Sequence, residues 1–206
     1  TKPSNFSASP EITVTPSAIV ATETPNISPT PAPTITDAPI IPNGPEKASI
    51  KMLFTTDIHG TLTNTDYETG ETVRTGTLAR AITKIKEERS KVLENNSFLF
   101  DIGDNLYNYS TDYIYGYNDT YVQPIYRAIK NLNYDAITLG NHEFDYGFPY
   151  IKNQIEKSGL DDICVVSNVM DANTNQNVWK ENMILNKEIS TTSGSSIIKI
   201  GIIGET

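Results

Sequence analysis

The sequence of 206 residues is poor in the side chains that build covalent cross-links and thiolate metal sites. It contains a single cysteine, Cys164, which excludes an intrachain disulfide framework and a cluster of cysteine ligands. The surrounding stretch DICVVSN is apolar, as is typical of a small buried residue. No run of 18 or more apolar residues exists, which excludes a membrane-spanning helix within this sequence.

Positive charge is also scarce: the sequence has 16 Lys and Arg residues but 25 Asp and Glu residues, which gives a net charge of −9. This balance argues against a nucleic-acid groove that works by neutralising phosphates. The chain also lacks the G-x-x-x-x-G-K-[ST] phosphate loop and the G-x-S-x-G nucleophile turn. An acidic protein that handles a phosphate ester needs a local cation, and a bound metal ion is the obvious candidate.

Proline is abundant in one part of the chain only, since ten of the 12 prolines lie between Pro3 and Pro45. Residues 1–48 are otherwise rich in Thr, Ser and Ala, a composition that favours extended chain and buries little apolar surface. We expect a disordered or semi-rigid linker here, although an arm packed on the domain is the alternative. A linker of this kind ahead of a domain at 49–206 predicts an exported protein, secreted or held at the cell surface in the periplasm or cell wall.

From residue 49 onward, apolar strand patterns alternate with amphipathic helix patterns. The predicted strands lie at 50–56, 97–103, 134–140, 162–168 and 196–205, and the predicted helices at 76–95, 121–133 and 148–159. This alternation predicts an α/β fold whose sheet contains parallel strands. Ligands of such sheets bind beyond the carboxyl ends of the strands, so the residues that follow each strand are the ones to inspect.

Polar side chains follow three of the predicted strands, in the stretches TDIHG, DIGDN and GNHEFD. Asp57 and His59 offer a carboxylate and an imidazole from one loop, and Asp104 offers a carboxylate able to bridge two ions. Asn141 adds a neutral amide oxygen. Mixed oxygen and nitrogen ligands suit manganese, zinc or Fe(II), and the lack of thiolates argues against a soft-metal site. If the three strands are neighbours, these side chains form one metal centre.

The remaining polar residues of these loops have other predicted roles. His142 follows a candidate ligand and would point elsewhere, where it could donate a hydrogen bond or a proton to a developing charge. Asp145 would orient that imidazole and stabilise its charged form. We interpret Glu143 as a capping or supporting carboxylate, and Asp101, inside its strand, as a supporting or core polar group.

A tyrosine-rich stretch follows the second motif and holds six of the chain's 11 tyrosines. The six are Tyr107, Tyr109, Tyr113, Tyr115, Tyr117 and Tyr121. These rings would either stack on a nucleobase or sugar, or pack on the surface of an irregular loop, and we favour the second interpretation.

The stretches TTDIHG, DIGDN and LGNHEFDYG, in this order, resemble the calcineurin-like metallophosphoesterases. More narrowly, they resemble the secreted branch of 5′-nucleotidases and 2′,3′-cyclic-nucleotide phosphodiesterases, over about residues 49–206. The resemblance implies a layered sandwich of mixed β-sheets flanked by helices, here truncated. It also implies two divalent metal ions, such as manganese or zinc, which activate a hydroxide for in-line attack on a nucleotide phosphate.

Carried over by position, the resemblance assigns a role to each candidate residue. Asp57 and His59 would bind the first ion, Asp104 would bridge both ions and Asn141 would bind the second. His142, paired with Asp145, would stabilise the transition state.

The chain departs from the family pattern in its histidines. Family members have further histidine ligands downstream, whereas this chain has only His59 and His142. We therefore expect a missing C-terminal part of the same polypeptide to supply the remaining metal ligands and the substrate-binding domain, and we expect the fragment alone to be inactive. Two alternatives stay open, namely a surface-tethered binding module with a vestigial metal site, or a phosphoesterase of another substrate class.

Overall fold

The structure is a computed structural model that describes residues 12–13, 47–66, 68–74, 76–107, 114–116, 118 and 120–206. Most of the predicted linker at 1–48 lies outside the described residues, so its disorder stays a prediction. The bounds of the strands are β1 (Ile12–Thr13), β2 (Ser49–Thr55), β3 (Ser97–Asp101), β4 (Ala136–Ile137), β5 (Met170–Asp171), β6 (Gln176–Asn177), β7 (Asn182–Thr191) and β8 (Gly194–Ile203). The bounds of the helices are α1 (Leu78–Arg89), α2 (Pro124–Asn131) and α3 (Phe148–Ser158), with 3₁₀ turns at Glu94–Asn96 and Asn141–Phe144.

The central sheet has the order β1-β2-β3-β4, and β2, β3 and β4 run parallel. Parallel neighbours need crossover connections, which α1 provides between β2 and β3, and α2 between β3 and β4. All five residues of β3 are buried, as expected of the central strand of a parallel sheet covered on both faces. The register pairs Thr55 with Asp101 and Asp101 with Ile137, so the three carboxyl ends lie at the same edge.

The helices cover one face of this sheet. Thr77 begins α1 as an N-cap whose hydroxyl accepts a hydrogen bond from the backbone N–H of Arg80 (3.2 Å), and Gly159 ends α3 in the left-handed conformation. The side chains that fill the space between helices and sheet are apolar and fully buried, among them Leu99, Ile125, Ile129, Ile151, Ile155 and Cys164. This layer carries the larger of the two hydrophobic clusters in the described part of the chain.

The β7–β8 hairpin covers the opposite face of the sheet. Ile189 of β7 packs with Phe98, Phe100 and Val165 in a second hydrophobic cluster. The ammonium group of Lys187 reaches the Ser97 carbonyl (2.7 Å) and the Asp135 carboxylate (2.9 Å) and lies over the Phe98 ring. The molecule is therefore layered as helices, mixed sheet and antiparallel hairpin, which confirms the predicted α/β class.

The element bounds differ from the predictions at one helix and two strands. Helix α1 ends at Arg89 rather than at 95, because its buried stripe ends at Ile85. The guanidinium group of Arg89 donates a hydrogen bond to the backbone carbonyl of Leu132 (2.6 Å). The strand predicted at 162–168 is reduced to single bridges of Cys164 and Val165. The strand at 134–140 shortens to Ala136–Ile137.

Strand β7 was not predicted, because Lys187 occupies a position of its inward face where an apolar residue would complete the alternation. None of the helices in the described part of the chain has the length and apolar character needed to span a bilayer.

Candidate metal centre

The loops that follow β2 and β3 are joined by an orderly series of backbone hydrogen bonds. These bonds run from Asp57 N to Gly103 O (3.0 Å), from His59 N to Asp104 O (3.2 Å) and from Gly60 N to Asn105 O (2.8 Å). The pairing of the parallel strands thus continues past their ends, and the two loops form one surface. The first two motifs of the sequence therefore lie side by side, as the strand-end argument predicts.

The loop after β4 approaches the loop after β3 so closely that only glycine fits at two positions. A Cβ atom at Gly103 would overlap the backbone of Gly140, and a Cβ atom at Gly140 would overlap the carboxylate of Asp104. The backbone N–H of His142 also donates to Asp104 Oδ1 (3.1 Å). The third motif is therefore in direct contact with the second.

Three of the predicted ligands meet at this edge. Asp57, His59 and Asp104 each present one ligand atom within 4.8 Å of the others, and His59 Nε2 lies 3.5 Å from Asp57 Oδ1. Two carboxylate oxygens and one imidazole nitrogen at this spacing suit a divalent cation such as zinc, manganese or iron. The residues present therefore fit the metal ion that the sequence predicts.

The position of a proton on His59 follows from its partner. Nδ1 lies 3.1 Å from the backbone carbonyl of Leu106, which can only accept, so Nδ1 carries the proton and donates it. The neutral ring then has its lone pair on Nε2, the nitrogen that faces Asp57. A carbonyl that fixes the tautomer and ring orientation in this way is the usual support of a metal-binding histidine.

Left-handed backbone is concentrated at this site. Among the described non-glycine residues, six have positive φ, and four of them belong here: Asp57 (56°), His59 (47°), Asp104 (54°) and Tyr107 (69°). The other two are asparagines, which tolerate this conformation well. Each such residue costs on the order of 1–3 kcal/mol and persists only where its surroundings fix it. The inter-loop hydrogen bonds and the contacts of Glu143 provide that restraint.

Glu143 links the second and third loops from below. Its buried carboxylate accepts hydrogen bonds from the backbone N–H groups of Gly140 (2.6 Å), Asp104 (2.8 Å) and Asn105 (2.6 Å). Burial raises the pKa of Glu143 to about 7, although these backbone donors oppose the shift. Glu143 thus makes the contacts expected of the supporting carboxylate that the sequence analysis favoured.

Asp101 is a second buried carboxylate beneath the site. It accepts hydrogen bonds from the Thr55 hydroxyl, the Asn105 amide and the Gly103 backbone N–H (3.1 Å). Burial raises the pKa of Asp101 to about 6, against the effect of these donors. It therefore fixes the start of the second loop, as a core polar group would.

His142 lies beside the cluster, with its ring centroid 5.2 Å from that of His59. Its Nδ1 lies 2.7 Å from Asp145 Oδ2, so the predicted histidine–carboxylate pair is formed in the structure. This hydrogen bond is the main reason that the pKa of His142 is raised. The imidazole is thus supported in its charged, proton-donating form.

Asn141 is exposed, and both of its neighbours, Gly140 and His142, contact Asp104. Its backbone therefore lies at the cluster, and its predicted role as a ligand stays a prediction.

Sequence reasoning missed the Leu106 carbonyl, which leaves no signature because every residue has one. It also missed the contact of Tyr107, whose ring lies parallel to that of His142 at a centroid distance of 5.3 Å.

The other tyrosines of the stretch are held in part by their backbone. The carbonyl of Tyr115 accepts from the Tyr150 hydroxyl (3.0 Å), and that of Tyr121 accepts from the Gln154 amide (2.9 Å). Tyr109, Tyr113 and Tyr117 lie outside the described residues.

This fold and this edge of the sheet define the class of the protein. The chain belongs to the calcineurin-like phosphoesterase family, whose model matches residues 50–199. Members of this family are phosphoester hydrolases that use divalent metal ions. The recognition made from the three motifs is therefore confirmed at the level of the family.

Within this family, the chain is similar to proteins named as nucleotidases and cyclic-nucleotide phosphodiesterases. The chain is 32% identical over 165 residues to a 2′,3′-cyclic-nucleotide 2′-phosphodiesterase/3′-nucleotidase of Haemophilus influenzae, a match that covers 78% of this chain and 24% of that protein. It is 32% identical over 112 residues to a snake venom 5′-nucleotidase of Naja atra, covering 50% of this chain and 20% of that protein. The crystal structure of the calcineurin-like phosphoesterase YfkN from Bacillus subtilis superimposes with a TM-score of 0.65 at 31% identity, covering 75% of this chain and 47% of that one. The chain spans about a quarter of the length of the cyclic-nucleotide phosphodiesterases that it matches.

Proposed function

We propose that this chain is part of a metal-dependent phosphoesterase that hydrolyses nucleotides, as a 5′-nucleotidase, a 2′,3′-cyclic-nucleotide phosphodiesterase or both. The observation that carries the proposal is the convergence of Asp57, His59 and Asp104 within 4.8 Å, with the His142 ring 5.2 Å from His59. The names of the relatives, which include nucleotidases and a cyclic-nucleotide phosphodiesterase, support the substrate class.

In this proposal the strand-end residues hold two divalent ions. Asp57 and His59 would bind the first, Asp104 would bridge both and Asn141 would bind the second. Ions bound there would polarise the phosphate and supply a hydroxide nucleophile near neutral pH. The downstream part of the polypeptide would contribute the remaining ligands and the domain that binds the nucleotide.

His142 and Asp145 would act on the leaving group. The Nδ1 proton of His142 is held by Asp145, which leaves Nε2 to donate a proton to the departing alcohol oxygen. The carboxylate of Asp145 raises the pKa of His142 and so favours the charged, proton-donating imidazole. General acid catalysis of this kind accelerates a reaction by roughly 10²–10⁴-fold.

We further propose that the protein is secreted or held at the cell surface, with residues 1–48 as a spacer. The composition of that segment supports this location. Immunodetection in separated cytoplasmic, cell-envelope and culture-medium fractions tests it. Detection in the cytoplasmic fraction alone would overturn the localisation without affecting the proposed chemistry.

Hydrolysis by the full-length polypeptide is the direct test of the function. The purified protein is incubated with manganese or zinc and offered nucleoside 5′- and 3′-monophosphates and 2′,3′-cyclic nucleotides, and phosphate or monoester release is measured. We expect hydrolysis of at least one of these, abolished in Asp57→Ala and retained in Asp162→Ala, whose carboxylate is exposed.

The other outcomes separate the competing functions. Hydrolysis confined to esters that are not nucleotides would assign another substrate class to the same site. Metal binding without hydrolysis of any ester would indicate a surface-tethered binding module, and the proposed enzyme would be rejected.

A further inference from the structure

Tyr107 covers the face of the His142 ring. The two rings are almost parallel, with an interplanar angle of 2° and a centroid distance of 5.3 Å. His59 meets the same imidazole edge-on at 74° and 5.2 Å. The imidazole of His142 is therefore held between an aromatic ring on its face and the metal-site histidine.

The backbone of Tyr107 is strained into this position. Its φ of 69° lies in the left-handed region, which a bulky side chain rarely adopts, and its side chain is 47% exposed rather than packed in a core. Strain of this kind persists where the surrounding structure over-determines a residue, and it clusters at functional sites. Burial of the ring does not account for this position, which places the ring in its stacking contact with His142.

Two contacts are enough to fix the imidazole. The hydrogen bond from Nδ1 to Asp145 (2.7 Å) sets one atom of the ring but allows the ring plane to swing about that bond. The parallel tyrosine removes this freedom, because swinging the ring would break the stack. Side-chain exposure of His142 is 33%, so no tight core packing takes over this task.

We propose that Tyr107 is a positioning residue for His142, which holds the plane of the imidazole so that Nε2 faces the leaving oxygen. This inference rests on the proposed function of His142 as a proton donor. It assigns a role to one member of the tyrosine-rich stretch that differs from binding a nucleobase, because Tyr107 acts through the histidine and leaves substrate affinity unchanged.

The first test compares leaving groups in the full-length enzyme. Tyr107→Leu removes the ring, Tyr107→Phe keeps it, and Tyr121→Leu removes another exposed tyrosine of the same stretch as a control. With a nucleoside monophosphate, whose alkoxide needs a proton, we expect Tyr107→Leu to lower kcat roughly three- to tenfold with KM unchanged. With p-nitrophenyl phosphate, whose leaving group is acidic, the same variant would stay within about twofold of wild type. Tyr107→Phe and Tyr121→Leu should match wild type on both substrates.

The second test reads the geometry without catalysis. In a ¹H–¹³C spectrum of this chain, the ring protons of His142 should show an upfield ring-current shift in wild type and Tyr107→Phe. The shift should disappear in Tyr107→Leu and persist in Tyr121→Leu. The same spectrum shows whether Tyr107→Leu is folded, since a folded variant keeps the chemical-shift dispersion of the other methyl and aromatic signals.

Each outcome decides between the roles. A rise in KM with kcat unchanged would assign Tyr107 to substrate binding and overturn the inference. An equal fall in kcat on both substrates, or no ring-current shift in wild type, would overturn it as well. If wild-type enzyme hydrolyses no phosphate ester while the ring-current shift is present, the proposed function fails although the stacking geometry stands.

Discussion

The loop after β2 and the loop after β4 each present a histidine at the same edge of the sheet, but different partners hold the two rings. Nδ1 of His59 faces the neutral carbonyl of Leu106, whereas Nδ1 of His142 faces the carboxylate of Asp145. The Leu106 carbonyl fixes the tautomer of His59 that has its proton on Nδ1, in which Nε2 carries a lone pair. The charged acceptor raises the pKa of His142 and supports the imidazolium.

The difference shows that the partner of one ring nitrogen decides what the other nitrogen can do. A lone pair on Nε2 binds a metal ion, while a proton on Nε2 can be donated. The two rings are only 5.2 Å apart, so proximity to the cluster alone does not separate these roles. Variants that remove one role at a time test whether the two histidines differ in this way.

The largest effect is expected from Asp104→Ala compared with His142→Ala. Asp104 is the predicted bridge between two ions, so its loss should remove bound metal and bring hydrolysis to background. His142→Ala should retain the metal content of wild type. Elemental analysis of the full-length proteins after dialysis measures this, and equal metal content in the two variants would contradict the division of roles.

A large but smaller effect is expected in the rate of His142→Ala. We expect kcat to fall by roughly 10²–10⁴, because the leaving alkoxide loses its proton donor. Steady-state kinetics with a nucleoside monophosphate at saturating metal provides the measurement. An unchanged kcat would remove His142 from the chemistry, and the comparison would then rest on His59 alone.

An intermediate effect is expected for Asp145→Asn, which keeps the shape of the side chain but removes the charge. The carboxylate is the main cause of the raised pKa of His142, so its loss should lower that pKa. Because the protonated ring is the proposed active form, the alkaline limb of the kcat profile should move to lower pH. At neutral pH we expect kcat to fall, but by less than the roughly 10²–10⁴-fold loss expected for His142→Ala. A limb that stays in place or moves to higher pH would contradict the proposed role of Asp145.

The smallest effect is expected for Glu143→Gln, which weakens the link between the loops that carry Asp104 and His142. A neutral amide presents one acceptor oxygen to four backbone N–H groups, those of Gly140, Asp104, Asn105 and Leu106, so at least one donor loses its partner. We expect the free energy of unfolding to fall by about 1–3 kcal/mol in urea denaturation. Glu156→Gln, at an exposed site on α3, is the matched control. Equal stability of the two variants would show that the Glu143 contacts are dispensable.

The sequence predicted the part of the fold that depends on uninterrupted apolar runs. The stretch SFLFD became the fully buried central strand, and the polar residues after each parallel strand met at one edge because the strands are neighbours. Strand β7 was missed because Lys187 lies on its inward face, where its ammonium group bonds Ser97 and Asp135. A single paired charge was enough to conceal the alternation.

The candidate site was predictable where it depends on residue type and unpredictable where it depends on backbone. Asp57, His59 and Asp104 could be named because polar stretches follow three predicted strands, and ligands of such sheets bind beyond the carboxyl ends of the strands. The carbonyl that orients His59 belongs to Leu106, an apolar residue with no polar side chain to draw attention. The left-handed conformation of Tyr107 likewise has no signature in a tyrosine.

Cys164 has a practical consequence for measuring motion in this chain. The side chain is fully buried, and burial raises the pKa of its thiol above the usual range. A maleimide fluorophore should therefore not react with Cys164 in the folded wild-type chain. An intact-mass spectrum measures this, and a labelled Cys164 would contradict its burial. A cysteine introduced at exposed Lys199 on the hairpin would then be a unique attachment point for reporters of inter-layer distance within this chain.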